Sequence, residues 1–422
     1  MSERLEYSPE IEQGNALVAQ IQARNAFLDQ PNTINPVPQT VELISNIQNL
    51  VNILPDNPQP TNLDQLYLQE LKRRLSCEAV SLSNVIATEA APWEQVIKAY
   101  GIPFEDLEVI EPWLENNMDL VKEANRRLFD NATNYVERAN VPTGIGSLRA
   151  RAEQIVENAM GSMNEVVLEN LGNRLGVREF IQLYTFGADS TERRSYLNYL
   201  SKVLGISTQN VTYMRDGEIY IIPEELISLM GHEGLGHARH NTVTEASQDL
   251  PSFLKIRTGP PLQATNESIA QYFEAKFFDY LALHPSAVEK LKFTESFDHI
   301  YQRYKDTQLL NTYMNNLYYF AILTLAQSKQ EDTSGQAEKI SKYSINPSFP
   351  RNHINRYRND WDKATGRLMT HVVSELRYAA NPVARIMSSI PKDKVSQAED
   401  LILKGFWTPQ GLEQWVDLNL KK

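Results

Sequence analysis

The sequence has a single cysteine, Cys77, and a chain with one cysteine cannot form an internal disulfide bond. Long apolar runs are also missing, because the most apolar stretch, residues 317–326, is too short to cross a bilayer. The first residues carry no apolar segment of the kind found in signal peptides. We therefore expect a cytoplasmic protein that has no membrane partner.

Basic residues are scarce relative to acidic ones, with 41 Lys and Arg against 53 Asp and Glu and a net charge of −12. An acidic chain disfavours nucleic acid as the main partner, since the phosphate backbone attracts basic surfaces. The sequence also contains no glycine-rich phosphate loop and no internal repeat. With 422 residues, the chain is long enough to bury a large core and to form more than one lobe.

Three of the seven histidines fall within residues 231–240, which read GHEGLGHARH. Two neutral imidazoles on one helical face form half of a zinc site, and an adjacent carboxylate can act as a general base. In the common His-Glu-x-x-His arrangement the histidines are four residues apart. Here His232 and His237 are five residues apart, with Glu233 directly after the first. Five residues of a regular α-helix rotate the side chains by about 140°, which is too far for one metal ion.

A one-residue π-bulge would restore the alignment of the two histidines, and such bulges favour functional sites. Gly234 and Gly236 make the backbone permissive enough for this, so we predict a π-bulge or local unwinding within residues 232–237. Other interpretations remain open at this point. His237 and His240 are i,i+3 neighbours and could form a different metal pair, and Glu233 and His237 could form an i,i+4 surface contact.

The segments around the motif predict a hairpin and two helices. Asp216-Gly217 separates two β-rich runs and indicates a hairpin turn. Pro223 then opens a helix that carries acids in its first turn. Downstream we predict a second helix with Thr265 as its N-cap, which places Glu267 in the first turn. Glu267 is either an acid that complements the helix dipole or a third metal ligand supplied by a second helix.

The pattern of His232-Glu233 and His237 followed by Glu267 resembles gluzincin-type zinc peptidases with a His-Glu-x-x-x-His motif. This variant occurs in dipeptidyl peptidase III and in the microtubule-associated tyrosine carboxypeptidase family with its bacterial relatives, and the spacing to Glu267 is closer to the latter. Residues 266–268 also resemble the His-Glu-Ser segment of Taq-type carboxypeptidases. The resemblance covers residues 210–283, and Asn266 and Ser268 depart from the tyrosine carboxypeptidase pattern.

The resemblance implies one Zn²⁺ per chain, bound by His232, His237 and Glu267, with Glu233 as the general base. It implies a zinc-dependent peptidase that acts on peptides or proteins, most simply a carboxypeptidase that removes C-terminal residues, including tyrosine. Two alternatives stay open. The chain could be an endopeptidase or dipeptidyl peptidase with the same zinc chemistry, or a helical interaction protein whose site is inactive.

A basic stretch stands out in this acidic chain, and its members are Arg351, His353, Arg356, Tyr357 and Arg358. It is either a solvated basic face or an anchor for the carboxylate of a substrate, since an arginine fork suits bidentate binding of a carboxylate. A tyrosine, histidine or arginine from residues 299–358 is also expected to hold the oxyanion that develops during peptide hydrolysis.

The expected fold class is α+β and mainly α-helical, with a zincin-like metallopeptidase core and a small antiparallel sheet inside helical lobes. Prolines and helical periodicity divide the chain into four predicted parts. These are an N-terminal helix with a proline-rich docking segment (1–61), a helical lobe (62–205), a catalytic zinc core (206–330) and a C-terminal helical segment (331–422).

Overall fold

A computed structural model describes residues 7–28, 37–86, 107–131, 137–138, 212–215, 218–221, 223–257, 260–291, 293, 295–327, 333–345 and 382–420. The structure is nearly all helical, with helix at 85% of these residues. The expected α+β class was therefore wrong. Strand residues are confined to three segments of two, four and four residues within the described ranges, too few to define a mixed class.

The helices of the described residues have the following bounds: α1 (Pro9–Leu28), α2 (Val37–Ile53), α3 (Leu63–Ile86), α4 (Leu107–Asn131), α5 (Pro223–Leu229), a π-helical segment (Met230–Ala238), α6 (Arg239–Ala246), α7 (Pro260–Leu283), α8 (Pro285–Leu291), α9 (Phe297–Gln327), α10 (Thr333–Ser341), α11 (Pro382–Ser389), α12 (Val395–Ile402) and α13 (Pro409–Leu420). Short 3₁₀ turns cover Ser252–Lys255 and Lys392–Lys394.

The three strands form one antiparallel sheet in the order β1-β3-β2, where β1 is Glu137–Arg138, β2 is Thr212–Arg215 and β3 is Glu218–Ile221. Arg215 pairs with Glu218, so only two residues connect β2 to β3. This pairing confirms the hairpin that the sequence predicts at residues 216–217. One residue after β3 the chain enters α5, and α5 continues without a break into the π-helical segment.

The chain divides into two units. The first comprises residues 1–119, 244–268 and 312–422, and the second comprises residues 120–243 and 269–311. The boundaries at 119, 243, 268 and 311 fall inside helices α4, α6, α7 and α9. The four-part division inferred from the sequence stays a prediction.

In the first unit, a buried carboxylate joins helix α3 to the start of α13. Glu70 is fully buried and accepts hydrogen bonds from the Thr408 backbone N–H and hydroxyl, each at 2.7 Å. The Thr408 hydroxyl oxygen accepts in turn from the Gly411 N–H at 3.2 Å, the N-cap arrangement that satisfies an otherwise unpaired donor. Trp407 stacks between Tyr67 and Trp415 beside this contact.

In the second unit, α7 and α9 are joined by aromatic packing. Phe278 stacks on Tyr304 with ring centroids 3.5 Å apart, and Tyr301 lies beside the pair. Both Phe278 and Tyr304 are buried. This packing places α9 next to the part of α7 that contacts the π-helical segment.

None of the helices described here is long and apolar enough to span a membrane.

Candidate metal centre

The backbone that carries the histidine motif is π-helical over the nine residues Met230–Ala238. This confirms the predicted departure from α-helical geometry and extends it beyond the single-turn bulge that is usual. A π-helix forms i→i+5 hydrogen bonds, so residues five apart lie one above the other. His232 and His237 are therefore brought to one side, with ring centroids 4.9 Å apart and ring planes at 87°.

Two glycines explain why this segment adopts the π register. Gly231 and Gly236 are also five residues apart, and both face α7. A Cβ atom on Gly236 would lie 2.7 Å from Ala270 Cβ, and one on Gly231 would lie 2.8 Å from Glu274 Cα. Real Cβ atoms essentially never approach so closely, so only glycine permits this helix-to-helix distance.

The role of Gly236 thus differs from the one expected from sequence. It is required for close packing rather than for backbone freedom. Gly234 is different, because a Cβ atom there would meet nothing within 4 Å. The sequence signal for this arrangement is a Gly-His dipeptide repeated after five residues, at 231–232 and 236–237.

Glu267 lies on α7, but not in its first turn. The expected N-cap at Thr265 was wrong, because α7 begins at Pro260 and Glu267 is the eighth residue of the helix. Proline suits the first helical position since its φ is preset and its missing N–H is not needed there. A charge that deep in a helix gains little from the dipole, whose effect fades after the first turn. The dipole interpretation of Glu267 is therefore removed. One turn further along α7 is Ala270, which contacts Gly236.

His232, His237 and Glu267 each offer a ligand atom, and these atoms lie within 4.8 Å of one another. His237 is buried, whereas His232 and Glu267 are half-buried. Two imidazole nitrogens and a carboxylate are a donor set that zinc accepts, with bonds of about 2.0–2.2 Å. This group can therefore hold a metal ion.

A buried carboxylate supports the first histidine. Glu274 Oε2 lies 3.0 Å from His232 Nδ1, and the glutamate side chain is only 4% exposed. Because a carboxylate accepts hydrogen bonds, this contact places the imidazole proton on Nδ1 and leaves Nε2 to bind a metal. Glu274 Oε1 accepts from Ser228 Oγ at 2.5 Å and from Gln308 Nε2 at 2.8 Å.

The Tyr304 hydroxyl on α9 lies close enough to Glu274 to feel its charge. Burial, followed by the negative charges of Glu274 and Asp279, raises the pKa of the Tyr304 hydroxyl, which therefore stays protonated. Sequence reasoning missed Glu274. The available signal was its position seven residues after Glu267, which is the same face of an α-helix two turns on.

No family model matches the chain, and neither a curated protein nor a solved structure matches it. The resemblance to gluzincin-type peptidases stays an interpretation of the motif.

The other predicted site residues are placed as follows. Glu233 follows His232 within the π-helical segment. His240 is buried in α6 and does not belong to the metal-capable group found among the described residues. The basic stretch lies outside the described residues, so its position relative to the metal centre stays a prediction, and this applies to Arg351, His353, Arg356, Tyr357 and Arg358.

We expect substitution by alanine to have different effects at Gly236 and at Gly234. Gly236→Ala forces a methyl group into Ala270, so we expect a loss of about 1–3 kcal/mol in the free energy of unfolding and zinc binding at least tenfold weaker. Gly234→Ala adds its methyl group in open space and should leave both quantities unchanged or raise stability by up to about 1 kcal/mol. Denaturant titration and chelator competition measure the two effects. Equal responses of the two variants would contradict the packing role of Gly236.

Proposed function

We propose that this chain is a zinc-dependent peptidase with one Zn²⁺ held by His232, His237 and Glu267. The observation that carries the proposal is the convergence of these three side chains from two helices, with ligand atoms within 4.8 Å. Regular α-helical geometry would have separated the two histidines, and the π-helical segment that prevents this needs two glycines to pack. A backbone so specialised is difficult to explain by histidines that meet incidentally.

When bound, the ion supplies a Lewis acid that polarises the scissile carbonyl and lowers the pKa of water. Glu233, next to His232 in the chain, accepts the proton of the attacking water and passes it to the leaving amine. Glu274 holds the His232 ring in the tautomer that offers Nε2. With His232, His237 and Glu267 as its ligands, a bound ion would keep one position for water or substrate, as catalytic zinc sites require.

Contacts on α9 narrow the choice of an oxyanion donor from residues 299–358. The hydroxyl groups of Tyr301 and Tyr313 donate to Asp279 and to the Tyr343 carbonyl oxygen, respectively. These two tyrosines are therefore engaged elsewhere in the fold. The donor is one of the other tyrosine, histidine or arginine side chains of that range, which includes the basic stretch 351–358.

Within the peptidases, the resemblance of the motif favours a carboxypeptidase acting on peptides or proteins in the cytoplasm. Such an enzyme needs a fixed cation for the terminal carboxylate, and the arginines of 351–358 are the candidates. The acidic net charge of −12 supports a partner other than nucleic acid.

Metal analysis tests the site itself. Purified protein should contain about one zinc ion per chain, and His232→Ala, His237→Ala or Glu267→Ala should each lower zinc occupancy, because each removes one of three ligands. His240→Ala is the matched control, since it removes a nearby buried histidine that lies outside the group. Full zinc content in Glu267→Ala together with loss in His240→Ala would show that the third ligand is misassigned.

The role of Glu233 predicts a separation of binding from turnover. Glu233→Gln keeps the shape of the side chain but cannot accept a proton, so zinc content should stay normal while kcat falls at least about a hundredfold. Turnover of a peptide library by the metal-loaded variant and the wild type gives the comparison. Near-normal turnover in the variant would remove Glu233 from the mechanism.

Carboxypeptidase activity predicts a dependence on the free C-terminus. Peptides with a free terminal carboxylate should be cleaved, and for the same peptides with a C-terminal amide kcat/KM should fall by the equivalent of about 2–4 kcal/mol of transition-state stabilisation, because the arginine loses its anionic partner. N-terminally acetylated peptides are the matched control and should be cleaved normally. Equal cleavage of free and amidated peptides would favour an endopeptidase with the same zinc chemistry.

A further inference from the structure

The helix that leads to the metal centre is held at its start by an arginine from α9. Arg303 Nε lies 2.8 Å from Glu224 Oε1, and Arg303 Nη2 lies 2.7 Å from Glu224 Oε2. The two parallel bonds form a bidentate pair, the geometry in which arginine binds a carboxylate most specifically. Glu224 is the second residue of α5.

A second carboxylate completes this contact. Glu295, just before α9, accepts from Arg303 Nη1 and from Nη2, the latter at 2.7 Å. The side chains of Arg303, Glu224 and Glu295 are only 9%, 13% and 13% exposed. Burial by itself lowers the pKa of Arg303, but its hydrogen bonds to Glu224 and Glu295 outweigh this and raise it. The Arg303 guanidinium is therefore held in one position by two ion pairs and is not a solvated surface charge.

Three residues of α5 and the π-helical segment, spaced by four, form hydrogen bonds to neighbouring helices. Glu224 binds Arg303, Ser228 binds Glu274, and His232 binds Glu274 through Nδ1. Spacing by four places side chains on one face of a helix, so this face is held at each turn from α5 into the start of the π-helical segment, which then carries the chain to His237. Arg303 makes the first of these contacts and the only one of the three that is bidentate.

We propose that Arg303 is a positioning residue for the metal centre, acting through Glu224 to set the rotation of α5 and of the π-helical segment that follows. The proposal rests on the zinc site proposed above.

The metal centre needs such a positioning residue because a chain has little intrinsic preference for π-helix, which is rare and usually limited to one turn. If the start of α5 were free to rotate, residues 230–238 could relax toward α-helical geometry. His232 and His237 would then diverge by about 140°, and the metal affinity would fall even though every ligand remained in the sequence. The contact with Arg303 opposes this rotation at the end of the helix opposite to His237.

The sharpest test compares the two carboxylate partners of the same arginine. Glu224→Gln and Glu295→Gln each replace one carboxylate partner of Arg303 by a neutral amide. Only Glu224 lies on α5, the helix that continues into the π-helical segment. We expect Glu224→Gln to weaken zinc binding at least about tenfold, as is usual when a partner that orients a metal ligand is lost. Glu295→Gln should change zinc affinity less than threefold. Chelator competition with zinc measures both.

Arg303→Gln and Arg127→Gln provide an independent comparison, because Arg303 lies on α9 and Arg127, on α4, pairs with Asp306 of α9. Arg127 forms a bidentate pair with Asp306, at 2.9 and 2.7 Å, that does not involve α5. Arg303→Gln should weaken zinc binding at least tenfold and alter the visible absorption spectrum of the Co²⁺-loaded protein, which reports ligand geometry. Arg127→Gln should preserve both the affinity and the spectrum, even where it lowers the melting temperature.

The outcomes separate this proposal from the proposed function. Wild-type protein that binds no zinc would overturn both. Wild-type protein that binds zinc, with Glu224→Gln and Glu295→Gln equal in affinity, would overturn the role of Arg303 and leave the metal centre intact. If Arg303→Gln does not fold, the comparison of Glu224→Gln with Glu295→Gln still tests the role of Arg303.

Discussion

The contact between Gly236 and Ala270 is the constraint on which the metal centre depends. It lets the backbone of the π-helical segment approach α7 to a distance that any side chain larger than hydrogen would prevent. At this distance Glu274 reaches His232 with a hydrogen bond, and Glu267, one turn before Ala270, joins the group with both histidines. A wider spacing of the two helices would move both glutamates away from both histidines, because the glutamates lie on α7 and the histidines lie on the π-helical segment.

The buried Glu274 carboxylate connects this contact to the rest of its unit. A buried charge is costly unless it is hydrogen-bonded, and Glu274 receives bonds from Ser228, His232 and Gln308. Its donors come from α5, the π-helical segment and α9, so three elements have their positions fixed by one acid on α7. Loss of any of these donors costs about 1.5–3 kcal/mol, because each donates to a charged group.

Features that depend on local spacing could be predicted from the sequence. The Asp216-Gly217 turn and the departure from α-helix at 232–237 follow from short-range patterns, whereas the group of His232, His237 and Glu267 was expected from the resemblance of the motif. The N-cap at Thr265 was wrong because the helix begins at Pro260, and proline suits the first helical position. The α+β class was wrong because the strands found are too short. Pairs such as Arg303 and Glu224, 79 residues apart, have no fixed spacing in sequence and emerge only from packing.

The repeat of Gly-His after five residues links packing to metal binding in both directions. In an α-helix neither the two glycines nor the two histidines would share a face, so a single change of helical register aligns both pairs. Packing of the glycines against α7 therefore stabilises the arrangement that could hold a metal ion. Because a ligand that binds one conformation stabilises it, metal binding must in return stabilise the π register and the contact with α7. A variant that weakens the glycine contact should thus lose metal affinity without losing a ligand, and a bound ion should partly restore its stability.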